Sequence, residues 1–131
     1  MEEQNFCIKI KGIIFNPSVK KILIGKRKGD EFYSFVDGEL KDDEELNSSL
    51  KRIIQERTGY IVSNLGAVFA ERSQKRDDRL NIYFLCEIKG GKEKLAEYVK
   101  EIKWIKANEI EKLINETLPK RLKEYVESIA S

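Results

Sequence analysis

The chain of 131 residues contains no histidine at all. That excludes Ser-His-Asp and Cys-His machinery and any His-ligated zinc or haem. A bound metal would have to be held by oxygen ligands, which favours Mg²⁺, Mn²⁺ or Ca²⁺. Cysteine is scarce: Cys7 and Cys86 lie far apart, each in an alternating stretch, and read as reduced strand residues that behave as small hydrophobes. No apolar run approaches the roughly 18 residues of a membrane span. The acidic start Met1-Glu2-Glu3-Gln4-Asn5 resembles no secretory signal, so a cytoplasmic protein without membrane attachment is expected. Neither sign of charge dominates. Lys+Arg 25 against Asp+Glu 23 leaves +2, which offers no electrostatic basis for a dedicated nucleic-acid binder.

What is present is 40% hydrophobic and 37% charged residues, mixed throughout, as in one globular domain over residues 1–131. Alternation over Phe6–Phe15 predicts a strand, Asn16-Pro17-Ser18 a turn, and Ile22-Leu23-Ile24 a second strand closing a hairpin. Residues 29–43 lack periodicity and read as a long loop, a length that usually signals function. Leu46, Leu50 and Ile54 recur at steps of four, predicting a helix over Glu44–Thr58 that Gly59 ends, with Asp42, Asp43 and Glu45 as its acidic start. Strands follow near 60–71, 79–88 and 101–106, with 93–100 ambiguous. Two helices close the chain near 108–115 and 118–130, the second with Thr117 as N-cap and Pro119 in its first turn. Strands and helices mixed without βαβ regularity give an α+β class.

The segment Gly38 to Tyr60 carries the chemistry. Gly38, Glu44, Arg52, Ile54, Glu56 and Gly59 match, without a gap, the box G-x5-E-x7-R-E-U-x-E-E-x-G-U, where U is a bulky aliphatic. In this the chain resembles the Nudix hydrolases. Leu23 to Arg27, Tyr33-Ser34-Phe35 and Glu101 to Ile110 resemble the family's flanking elements, so the likeness spans nearly the whole chain. It implies a Nudix-type α/β/α sandwich with a mixed central sheet. Two positions depart from the pattern: Ile53 and Arg57 stand where the family has Glu. Val36-Asp37 also stands where Pro-Gly is usual.

Positions 53, 56 and 57 fall on one helix face, which in the family gathers carboxylates around divalent ions that bridge a pyrophosphate and activate water. Here that face reads Ile53, Glu56, Arg57. One carboxylate holds Mg²⁺ poorly, Ile53 offers no base, and Arg57 repels a divalent cation. The resemblance then implies Glu56 as principal metal ligand with Glu44 as helper, Arg52 orienting Glu56, and Mg²⁺ or Mn²⁺ held weakly, if at all. Arg57, Arg27, Gly38 and Tyr33 are the expected contacts of a nucleoside diphosphate linked to another moiety, with Tyr33 and Phe32 as the stacking candidates. Three readings stay open: an impaired pyrophosphohydrolase, a nucleotide-binding domain that does not cleave, and a scaffold for protein contacts. A homodimer is compatible with each.

Plainer readings stand beside these. Glu44 fits a helix N-terminus, Arg52–Glu56 an ordinary i, i+4 pair, and Ile53 an extension of the apolar stripe. Arg57 fits solvent, Arg27 a strand end, and Phe35 and Trp104 the core. The basic cluster Arg72, Lys75, Arg76 and Arg79 reads as a solvated loop, with phosphate contact as the sharper alternative.

Overall fold

The computed structural model describes residues 7–73, 76–114 and 118–129. Phe6, Lys75 and Thr117, invoked above, lie outside them. Six strands form one sheet: β1 (Cys7–Asn16), β2 (Lys21–Arg27), β3 (Ser34–Glu39), β4 (Tyr60–Arg72), β5 (Arg79–Gly91) and β6 (Val99–Ile105). Their spatial order is β4-β5-β1-β3-β2-β6. β1 runs parallel to β5 and every other pairing is antiparallel, so the sheet is mixed. Among the described residues no helix is long and apolar enough to cross a membrane.

The alternation of β1 divides two cores. Ile10 and Ile14 face the helix α1 (Leu46–Thr58), packing with Leu50, Ile53, Ile54 and Phe84. Ile13 faces the other way, onto Ile22, Phe35, Tyr83 and the Leu122–Val126 stripe of the C-terminal helix α3 (Lys120–Ile129). Helices therefore cover both faces, the α/β/α sandwich and α+β class expected. Four-residue spacing explains the helical packing: one side of α1 supplies a continuous apolar ridge, roughly 2 kcal/mol for each fully buried Leu or Ile.

Three expectations need correction. Residues 34–39 are not loop but strand β3, paired with both β1 and β2. Its Phe35, Val36, Asp37 and Gly38 are all buried, so it lies between neighbours with both faces covered and shows no alternation in the sequence. Helix α1 begins at Leu46 rather than Glu44, and its first turn carries no acid. The helix expected over 108–115 is a 3₁₀ turn (Ala107–Glu109) followed by a single-turn helix α2 (Ile110–Leu113).

Candidate functional site

β1 pairs with β2 at one end and with β3 at the other, Lys9 lying opposite Glu39 and Asn16 opposite Lys21. Ile53 of α1 lies directly over Gly38 near the end of β3. Around this contact lies a cleft of about 690 Å³ bounded by β1, the ends of β2 and β3, residues 40–42, the outer turns of α1 and the start of β5. Lys9, Arg27, Lys41, Arg52, Arg57 and Arg79 face three carboxylates, Glu39, Asp42 and Glu56. The cleft is cationic although the chain is nearly neutral.

Its floor is set by a close approach. A Cβ on Gly38 would lie 2.8 Å from Cδ1 and 3.0 Å from both Cγ atoms of Ile53. Glycine is required there because the isoleucine occupies that space. Ile53 is 4% exposed and belongs to the core beneath α1, as the plainer reading of it held.

Arg52 is the hub of the helix face. Its Nε and Nη2 donate to the two carboxylate oxygens of Glu44 at 2.9 and 2.8 Å, while Nη1 donates to Glu56 at 3.0 Å. Such a fork is the strong form of a charge-assisted pair. The hydrogen bonds from Arg52 hold the Glu44 carboxyl below the usual carboxylate range, and Glu44 in turn raises the guanidinium. Glu44 is thus a tether for Arg52 behind the cleft rather than one of its lining residues.

The carboxyl end of α1 is fixed by a segment that sequence reading left ambiguous. Gly59 adopts φ 82° and donates to the Gln55 carbonyl, the expected C-cap. The N–H groups of Lys94 and Ala96 donate to the carbonyls of Thr58 and Arg57 at 2.8 and 3.3 Å. This brings Tyr98 under Arg57, whose guanidinium carbon lies 5.0 Å from the ring centroid. Burial lowers the Arg57 pKa, and the like charge of Arg27 adds to the effect. No carboxylate among the described residues forms an ion pair with Arg57. Arg27 donates from Nη2 to Asp37 at 2.9 Å, and Lys9 approaches the same buried carboxylate at 3.5 Å.

This donor set does not suit a divalent cation. Among the described residues no group of three or more His, Cys, Asp or Glu side chains is placed to hold one. Of the two carboxylates assigned to metal, both are engaged by Arg52. The other two positions of the helix face hold a core isoleucine and a guanidinium. A guanidinium about 5 Å from such an ion would oppose it by roughly 6 kcal/mol at an effective dielectric near 20, an upper bound.

Arg27, Gly38, Arg52, Glu56 and Arg57 therefore share one cleft. Tyr33 does not line it. Its hydroxyl donates to Glu101 at 2.7 Å, Lys26 sits over its ring at 5.1 Å, and the Glu101 hydrogen bond raises the phenol. Two contributors, Lys9 and Tyr98, escaped the sequence reading, and a third, Arg79, entered it only through an alternative. Lys9 looked like the solvent side of a strand, Arg79 was part of the basic cluster, and Tyr98 lay in the ambiguous stretch. Only the cluster's phosphate-contact alternative pointed at any of them.

A family profile described as NUDIX domain matches residues 8–127. The chain belongs to this family. Known NUDIX folds superpose over nearly its whole length. A Nudix hydrolase from Nitrosomonas europaea is similar at TM-score 0.81 and 17% identity, over 97% of this chain and 73% of that one. A MutT structure from work on Aliivibrio salmonicida and Vibrio cholerae gives 0.74 and 19%, over 93% and 96%. An ADP-ribose pyrophosphatase from Streptococcus suis gives 0.68 and 15%, over 95% and 88%. At these identities the likeness is one of fold. No curated protein matches the chain by sequence. The matched range includes the whole of α1.

Proposed function

We propose that this NUDIX-domain chain binds a nucleoside diphosphate linked to another moiety, holding its phosphates directly on arginine, and cleaves it slowly or not at all. The observation that carries the reading is the exchange on the helix face: Arg57, free of any ion pair among the described residues, stands in the cleft where a metal-binding carboxylate is usual. A guanidinium offers forked donors that suit phosphate oxygens. Arg27 lies near enough to depress its pKa, and Arg79 adds a buried Nε with no acceptor of its own in the structure. The same guanidinium approaches Glu39 through Nη2 at 3.7 Å, so Arg79 adds positive charge at the edge of the cleft. Hydrolysis lacks two elements. Ile53 cannot accept a proton, and Glu56 is a single carboxylate with one oxygen already accepting from Arg52.

Calorimetric titration of ADP-ribose and of pyrophosphate in EDTA tests this, with Arg57→Ala beside the wild type. Binding without metal, weakened at least tenfold by the substitution, is expected. In parallel, product formation is followed from dNTPs, ADP-ribose, NADH and dinucleoside polyphosphates with Mg²⁺ or Mn²⁺, and Glu56→Gln as control. Binding that requires Mg²⁺, or turnover faster than about 1 per second that Glu56→Gln abolishes, would overturn the reading in favour of an ordinary hydrolase.

A further inference from the structure

Tyr98 is a large aromatic residue left 45% exposed, yet its backbone is firmly placed. Its carbonyl accepts the Lys28 N–H at 2.9 Å, and the next residue, Val99, donates to the Ala96 carbonyl at 2.9 Å. Val99 also pairs with Arg27 across the β2–β6 ladder. Tyr98 is thereby placed beside two arginines of the cleft: it precedes the residue that pairs with Arg27, and the Arg57 guanidinium lies over its ring. The guanidinium lies over the ring at 5.0 Å from its centroid, and the residue as a whole stays 45% exposed beside it.

We propose that the outer face of Tyr98 is the stacking platform for the base of a nucleotide whose phosphates lie on Arg27 and Arg57. The inference rests on the phosphate-binding reading above and adds what that reading lacks, a means of telling a nucleotide from an inorganic polyphosphate. A ring stacked about 3.5 Å beyond Tyr98 shares the platform with the guanidinium that holds the phosphate, so one ligand reaches both. Base-on-aromatic stacking is tolerant of base identity, because every base presents a π-face. The chain therefore selects for a nucleoside and discriminates little among bases. The other exposed aromatic, Phe32, makes no such contact with a cleft arginine among the described residues, and Tyr33 is occupied by Glu101 and Lys26.

The test compares ADP with pyrophosphate by calorimetry in EDTA, on wild type, Tyr98→Phe and Tyr98→Ala. Wild type should bind ADP about tenfold to a hundredfold more tightly than pyrophosphate, the range one stacked base supplies. Tyr98→Ala should weaken ADP at least tenfold more than it weakens pyrophosphate, and Tyr98→Phe should keep the wild-type preference. Upfield shifts of the adenine protons on binding, present with wild type and absent with Tyr98→Leu, give a second readout. Pyrophosphate binding with no preference for ADP overturns the platform alone. So does equal weakening of both ligands by Tyr98→Ala, which would leave the ring only steadying Arg57. Failure of wild type to bind either ligand overturns the phosphate reading and the platform together.

Discussion

Gly38→Ala puts a methyl group into space already held by Ile53. The added carbon would meet Cδ1 at 2.8 Å and both Cγ atoms at 3.0 Å, distances that force one side to move. No positive φ is involved, so the cost is steric alone. Overpacking of this kind costs about 1–3 kcal/mol. Ile53→Ala removes all three offending carbons but leaves a cavity beneath α1, at about 2–5 kcal/mol for a buried aliphatic. Because the new methyl refills part of that cavity, the double substitution should cost less than the sum of the singles by at least about 1 kcal/mol. Gly38→Ala with Ile53→Val is the graded control, since valine lacks only Cδ1 and keeps both 3.0 Å contacts. Urea unfolding followed by circular dichroism reads each variant, about 1–3 kcal/mol per molar urea. Additivity within about 0.5 kcal/mol would show that Gly38 is needed for something other than room for Ile53, such as close passage of a ligand.

Two further expectations concern charge and reactivity. Arg52→Gln should destabilise the protein more at pH 7 than at pH 3. The Glu44 carboxyl is depressed in the folded state, so its contribution is full above its unfolded pKa, about 4.3, and fades as pH falls through the lower folded value. Thermal unfolding with the same gap between wild type and variant at both pH values would refute this. Burial pushes the Cys86 thiol up to about 12, so iodoacetamide at pH 8 should leave it unmodified in the folded protein and label it only in urea. Peptide mass spectrometry checks the site, and native labelling of Cys86 would contradict its burial.

Local chemistry made much of the molecule legible in advance. The stripe Leu46, Leu50, Ile54 lies along one helix face because 3.6 residues make a turn, and Arg52 met Glu56 for the same reason. Gly59 had to end the helix, since the cap needs φ near 82°. β5 was readable because its residues alternate between two environments. β3 was not, because a strand covered on both faces carries no alternation, and the sequence then resembled a loop.

The unbroken spacing from Gly38 to Gly59 was also legible in the sequence alone. What only the tertiary structure decided is who shares the cleft. Lys9, Arg27, Arg57 and Arg79 come from two strand ends, a helix and a strand start spread over some seventy positions of the chain. Nothing in their own neighbourhoods brings them together; sheet pairing does. The same pairing turned Tyr33 toward Glu101 and set Tyr98 under Arg57. Local periodicity fixes which face a side chain takes on its own element, whereas strand order and register fix what that face meets.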